Sequence, residues 1–263
     1  MKIVSFNISI KMDNTNEVIK FLKDSNCDII ALQEVIRPLS DEVFKQYKME
    51  RDINQELGKI YPYKFFGPLW IADGIINNGR ISRNFGGMVE QGNQIISKFK
   101  IRNGENVFYQ KNYTYGFDAT EFRAKDHARA ALITYLDIDG KLLQIINVHG
   151  IWNKEKVGDA RTINQSRFLI TKALEKNIPT IILGDFNLIP DSESIKMIDE
   201  HFTNLVKKYD IKSTRPKFDD GLDRGDVVVD YVFVNDKIKI NDFKVMDIEI
   251  SDHLPLILDF DII

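Results

Sequence analysis

A mixed α/β fold is what this sequence predicts: a mixed sheet, or two sheets packed together, between helix layers. Three observations lead there. The chain opens strand–helix–strand–helix, the order of a layered α/β protein. Asp139-Gly140 stands between two β-rich runs and is the favoured two-residue hairpin turn, so antiparallel pairs are present too. Helices and strands keep alternating after that hairpin, which argues against a purely parallel, doubly wound sheet.

Each element has its own warrant. Residues 3–8 are apolar with Ser5 and Asn7 interposed, a first strand. Asn14 or Thr15 can cap a helix that carries Val18, Ile19, Phe21 and Leu22 at helical spacing. Residues 28–32 form a continuous apolar run, as for a strand buried on both faces. Ser40 then caps a charged amphipathic helix running toward Leu57. Residues 71–88 are rich in Gly and Asn, including Asn77-Asn78-Gly79 and Gly86-Gly87, and read as a long loop. Loops of that length in compact domains are usually functional or mobile. Residues 93–97 read as a strand, and residues 112–126 are aromatic and polar without period and carry no assignment. Residues 130–138 and 142–148 are the arms of the hairpin. A helix over 158–176 turns Ile163, Phe168, Leu169 and Leu174 inward. Residues 179–183 form a buried strand and 192–202 a helix. After a charged loop at 213–226, strands are expected at 227–234, 243–250 and 254–260. No repeat, low-complexity tract or Pro/Ser-rich linker interrupts residues 1–263, so a single domain is expected.

The composition narrows the function classes. The net charge of -3 excludes a polybasic nucleic-acid binder held by bulk charge. A nucleic-acid enzyme needs only a local basic rim. Cys27 is the sole cysteine, so neither an internal disulfide nor a cysteine-based zinc site can form. That fits a reducing cytoplasm. The N-terminal residues reach polar Asn7 at once, with no signal-peptide stretch, and no run approaches the roughly 20 apolar residues of a membrane span. A soluble, cytoplasmic, monomeric protein without membrane contact is the expectation.

Polar residues gather where the apolar runs stop. Asp185 and Asn187 follow Ile181-Ile182-Leu183-Gly184 and are two apart, so in extended chain they face the same way. A carboxylate beside an amide can hold an attacking water and contact a phosphoryl oxygen; an Asx turn closing the strand is the alternative. Glu34 ends Ala31-Leu32-Gln33-Glu34, and a solvated side chain is the plainer reading of it alone. Asn7 lies amid Val4, Phe6 and Ile8, where a buried amide needs a partner. His253 follows Asp252, and Asp230, at another strand edge, can accept the second ring N–H and fix the tautomer. His149 ends Ile145-Ile146-Asn147-Val148, whereas His201 reads as surface. Glu34, Asp185 and Asp252 in one pocket repel by roughly 4 kcal/mol per pair at about 4 Å and an effective dielectric of about 20. They stay ionised together only around a cation. Carboxylate and amide oxygens suit Mg²⁺ or Mn²⁺ rather than zinc.

The stations Ser5-Phe6-Asn7, Leu32-Gln33-Glu34, Gly92 to Ser97, Ala128-Arg129-Ala130-Ala131, Asn147-Val148-His149, Gly184-Asp185-Phe186-Asn187, Asp230-Tyr231 and Ser251-Asp252-His253 span nearly the whole chain. In that order and at that spacing the sequence resembles the endonuclease/exonuclease/phosphatase superfamily. The resemblance implies a four-layer αββα sandwich with two sheets face to face, and Mg²⁺-dependent hydrolysis of a phosphate ester. It implies that Glu34 holds the metal, with Asn7 and Asp252 nearby, directly or through water. Asp185 would orient or deprotonate the attacking water, and Asn187 and His149 would contact the phosphate. His253, paired with Asp230, would stabilise or protonate the pentavalent transition state; which of Asp185 and His253 is the base stays open. Arg129 fits a phosphate-side position as well as it fits a strand-edge salt bridge. Trp152 either lines the mouth or packs under the helix. Gln33-Glu34-Val35-Ile36 followed by Pro38 is similar to the tyrosyl-DNA phosphodiesterase branch. Arg80 and Arg83 would contact a nucleic-acid backbone or belong to a solvated loop. The expected activity is therefore a phosphodiesterase acting on nucleic acid. A phosphomonoesterase for a nucleotide, inositol phosphate or lipid head group, and a non-catalytic binding module, are the competing expectations.

Overall fold

Side-chain alternation along the first strand separates the layers. Val4, Phe6 and Ile8 join a core with Val18, Leu22, Ile53 and Leu57, which lie on two helices. Ile3, one residue before Val4 and so on the opposite face, joins a core with residues such as Ile133, Ile145 and Leu183 of a second sheet. Period-two alternation thus gives this strand one face toward helices and one toward another sheet.

The computed structural model describes residues 1–9, 14–118, 127–219, 222–223 and 225–263. In chain order the strands are β1 (Lys2–Asn7), β2 (Ile29–Pro38), β3 (Tyr63–Asn77), β4 (Arg80–Ser97), β5 (Lys100–Gln110), β6 (Thr114–Asp118), β7 (Arg129–Ile138), β8 (Lys141–His149), β9 (Thr180–Asp185), β10 (Thr203–Asn204), β11 (Phe218–Asp219), β12 (Leu222–Asp223), β13 (Asp230–Val234), β14 (Ile238–Val245) and β15 (Leu256–Ile262). The helices are α1 (Thr15–Asp24), α2 (Met49–Leu57), α3 (Ala160–Leu174), α4 (Glu193–Asp199) and α5 (Leu205–Lys208). A seven-stranded sheet in the order β14-β15-β1-β2-β4-β3-β6 faces a six-stranded sheet in the order β10-β13-β9-β8-β7-β5. Both are mixed, with β1–β2 and β8–β9 parallel among antiparallel neighbours. Helices α1 and α2 cover the first sheet, while Leu169 and Ala173 of α3 and Ile195 and Ile198 of α4 join the second. This is the four-layer αββα sandwich, and the hairpin at Asp139-Gly140 joins β7 to β8 as expected. Among the described residues no helix is long and apolar enough to cross a membrane.

Several expectations need correction. Residues 71–88 are not a loop; they lie in β3 and β4, which pair from Tyr63↔Ser97 to Asn77↔Arg80. The turn is Asn78-Gly79, both at positive φ (50° and 73°), the type I′ geometry that suits a hairpin's twist. Ser40 caps no helix. Phe44 N–H donates to Phe85 O at 2.8 Å, which ties this segment to β4 and delays α2 to Met49. Leu174 is exposed, β14 begins at Ile238 rather than 243, and β6 occupies part of the unassigned stretch. Residues 119–126 of that stretch, and 220, 221 and 224 of the charged loop, lie outside the described residues.

Candidate active site

The polar residues singled out in the sequence meet at one edge of the sandwich, and strand register brings them there. His149 ends β8 and is level with Asp185, the last residue of β9. Asp185 is in turn level with Asp230, the first residue of β13. Three neighbouring strands therefore carry the three side chains in one row on one face. Gly184 allows the close approach: its φ is 130°, and a Cβ there would lie 2.0 Å from Val148 O. From the facing sheet come Asn7 and Glu34. By alternation Glu34 should follow Ile30 and Leu32 toward the helices. Instead the β2–β4 register slips between Leu32 and Val35, Glu34 adopts φ 61°, and Val35 takes the helix-facing place. A one-residue bulge thus turns a carboxylate into the site.

The contacts are specific. Asn7 Nδ2 donates to Asp185 Oδ2 at 3.1 Å and to Glu34 Oε1 at 3.4 Å. Ser9 N–H donates to Asn7 Oδ1 at 3.0 Å, which orients the amide. His149 Nε2 lies 3.8 Å from both Glu34 Oε1 and Asp185 Oδ2. Asn187, in the left-handed region at φ 56°, donates its backbone N–H to Asp185 Oδ1 at 2.8 Å and its Nδ2 to Oδ2 at 3.2 Å. The Asx-turn reading of this pair is therefore met as well: one local turn fixes both groups. Asp230 holds His253 Nδ1 at 2.9 Å, which leaves Nε2 facing Asp185 Oδ2 at 3.7 Å. Thr214, which the sequence did not flag, donates Oγ1–H to Asp230 Oδ2 at 2.8 Å and accepts the N–H groups of Val229 and Asp230.

Electrostatics separates the two histidines. Burial lowers the His149 pKa to about 3, and the Arg129 charge adds to that, so the ring is neutral. Burial also works against a charged His253, but the Asp230 and Asp185 carboxylates outweigh it and raise this ring to about 9. Burial works to raise the Asp185 pKa; the charges of His253 and Lys156 and the Asn187 N–H overcome it and hold the carboxyl below its ordinary range.

Not every candidate is placed as expected. Asp252 Oδ2 accepts from Arg215 Nη2 at 2.8 Å, so an arginine shares the carboxylate expected to face a metal. Asp185, Asp230 and His253 offer ligand atoms within 4.8 Å of one another. The carboxylate oxygens of Glu34, Asp185 and Asp230 are the donor chemistry of a hard divalent cation, while Asn7 and Asn187 turn their Nδ2 groups toward Asp185. Arg129 is buried on β7 with its Nε lacking a hydrogen-bond partner among the described residues, and the charges of Asp185 and Glu34 act on it. Trp152 is half-buried. Lys156 and Arg215 were missed. Lys156 sits at φ 55° and feels Asp185, Asp230 and Asp252, yet a lysine and an arginine in irregular segments give no sequence signal.

The endonuclease/exonuclease/phosphatase family model matches residues 4–253. An endonuclease/exonuclease/phosphatase from Beutenbergia cavernae DSM 12333 superposes with a TM-score of 0.75 at 15% identity, over 100% of this chain and 71% of that one. TDP2 from C. elegans gives 0.68 at 18% identity, over 98% and 74%. A mannosyl-6-phosphatase of Bacteroides thetaiotaomicron VPI-5482 gives 0.65 at 16% identity, over 99% of both chains. No curated protein matches the sequence.

Proposed function

The chain belongs to the endonuclease/exonuclease/phosphatase family, whose members hydrolyse phosphate esters and generally depend on a divalent metal, and from that premise we propose that it is a Mg²⁺-dependent phosphodiesterase acting on nucleic acid. The observation that carries this reading is the single cluster of Asn7, Glu34, His149, Asp185, Asn187, Asp230 and His253, assembled from both sheets. Glu34 would hold the ion with Asn7, and with Asp252 directly or through water; Mn²⁺ would serve the same oxygen donors. Bound there, the ion would neutralise charge that develops on the phosphoryl oxygens.

The side chains divide the remaining work. Asp185 accepts three N–H groups, from Asn7 and Asn187, and keeps one direction open for an attacking water. Asn187 and neutral His149 contact the phosphate without adding charge that would compete with a metal. His253, held by Asp230, presents Nε2 to the same space and supplies positive charge or a proton as the pentavalent state forms. Arg129 offers its guanidinium from the strand behind. Positioning and charge stabilisation of this kind dominate phosphoryl chemistry.

For a polymeric substrate the supporting feature is the β3–β4 hairpin. β2 stops pairing with β4 at Pro38↔Val89, on the same end of the sheet as Glu34, and β4 runs on to Arg80. At about 3.3 Å per residue this arm rises ~30 Å past the end of β2. It carries exposed Arg80 and Ile81, and β6 beside it carries Tyr115, 73% exposed. The fold likeness to a mannosyl-6-phosphatase favours a second reading, a phosphomonoesterase. We read the chain as one catalytic domain, monomeric and cytoplasmic, in keeping with its single buried cysteine.

The test is Mg²⁺-dependent cleavage of plasmid and abasic oligonucleotide beside a panel of nucleotides and sugar phosphates. Cleavage of the polymers, lost in Asp185→Ala and His253→Ala, is expected. Release of phosphate from monoesters alone selects the second reading, and no product from any ester with metal present removes both.

A further inference from the structure

Two fully buried amides outside the reacting cluster join the sheets directly behind it. Asn147 on β8 and Gln33 on β2 are each 0% exposed. Gln33 Nε2 donates to Asn147 Oδ1 at 2.7 Å across the gap between the sheets. Asn147 Nδ2 donates to Leu32 O at 3.0 Å and to Gln94 O at 3.2 Å. Leu32 and Gln94 are a cross-strand pair, the last one before the β2–β4 register slips. An amide from the second sheet is therefore bonded to both strands of the first at the root of the bulge. Asn93 on β4 returns a bond, Nδ2 to Asn147 O at 3.3 Å.

The positions of these amides in the chain give them their meaning. Gln33 is followed by Glu34, whose left-handed backbone depends on that bulge. Asn147 is two residues from His149, so both side chains leave the same face of β8. His149 and Glu34 meet across the gap at 3.8 Å. We propose that Gln33 and Asn147 are positioning residues: a strut between the sheets that holds the bulge and so sets the spacing of Glu34 from His149 and Asp185. This rests on the reading of Glu34 as a metal-holding residue. The strut acts on the ion's affinity without touching the ion, in the way partners behind a ligand commonly change metal affinity by about 10–100-fold.

A purely structural role would also destabilise the fold when removed, since buried amides leave partners unsatisfied. Gln144 provides the comparison. It is equally buried on the same strand, but it lies five residues from His149 and leaves the opposite face, where it donates to Lys172 O of α3 at 3.1 Å. Gln33→Met, Asn147→Leu and Gln144→Met are to be compared with the unmodified protein by calorimetric titration with Mg²⁺ and Mn²⁺ and by thermal unfolding. Titrations are run well below each melting temperature. All three variants should melt earlier. Gln33→Met and Asn147→Leu should bind metal about tenfold or more weakly, and Gln144→Met should bind it as the unmodified protein does. Should Asn147→Leu not fold, Gln33→Met decides alone, because it keeps both Asn147 bonds to the backbone. Equal metal affinity in Gln33→Met and the unmodified protein overturns the strut, as does an equal loss in Gln144→Met. An unmodified protein that binds neither ion overturns the metal reading itself, a result recognisable before any variant is tested.

Discussion

The row of strands β8, β9 and β13 and the arm built from β3 and β4 are constructed on opposite terms. In the row, β9 is buried from end to end, and Asp185 is held by two amide side chains, His253 by Asp230 and Asp230 by Thr214. Four non-glycine residues around it, Ser9, Glu34, Lys156 and Asn187, stand at positive φ. Such conformations persist only where surrounding structure over-determines them. The arm has a firm base and an open end. Phe85 is fully buried and meets the Tyr47 ring edge to face at 4.9 Å, while beyond it Ile81 is 71% exposed. Under the proposed function the difference is a division of labour: the groups assigned to the reacting atoms are held by buried partners, and the exposed arm would select what is presented to them.

Changes in the row should produce the largest effects. Asp185→Asn and His253→Ala should each lower kcat/KM for phosphate ester hydrolysis on the order of 10²–10⁴-fold, the usual contribution of a positioned acid or base. Circular dichroism should show the fold retained. A loss below about threefold in both would show that the row is scaffold and that the chemistry lies elsewhere. Next in size is the packing beneath it. Leu183→Ala, in a fully buried position on β9, should cost about 2–5 kcal/mol in denaturant unfolding. Ile81→Ser at the arm's end should stay within about 0.5 kcal/mol. Comparable losses in the two would abolish the contrast. Asp230→Asn should rank below Asp185→Asn, because it removes the carboxylate charge that holds His253 and touches no reacting atom. A fall in kcat of about 10–100-fold with KM little changed is expected.

The row was legible in the sequence and the arm was not, for a physical reason. Asp185, Asn187, His149 and His253 interrupt or end apolar runs, and burying an unpartnered polar group is costly enough that such an interruption calls for a site. Asn7 stood out for the same reason. Glu34 was singled out with them but alone read as a solvated side chain, since its turn into the site depends on a bulge that no single residue announces. The arm was hidden by shared chemistry: Asn78-Gly79 serves a loop and a type I′ hairpin equally well, and only pairing over the length of β3 and β4 distinguishes them. Lys156, Arg215 and Thr214 lie in irregular segments whose course is set by tertiary contacts. The place of Asp252 near a metal came from the resemblance, and the arginine that meets it comes from 37 residues earlier in the chain.

The smallest effect is the one that tests the arm's purpose. If it selects a polymer, Arg80→Ala and Tyr115→Ala should leave hydrolysis of a small diester such as bis(4-nitrophenyl) phosphate unchanged, because neither side chain lies in the reacting cluster. On a duplex oligonucleotide each should raise KM a few-fold with kcat preserved. Tyr115 offers a ring for stacking, which is worth about 1–3 kcal/mol per base when fully engaged and less at an exposed rim. Arg80 offers a charge, and its loss should reduce the salt dependence of KM by about one unit of slope if it meets a phosphate. The two variants thus make different demands: the Arg80 effect should vanish at high salt, whereas the Tyr115 effect should survive it. Equal changes on the small diester and the oligonucleotide would show that the arm supports the fold rather than the substrate. No change on either would leave a phosphomonoesterase as the better reading, since a small ester held beside Glu34 has no need of a wall ~30 Å high.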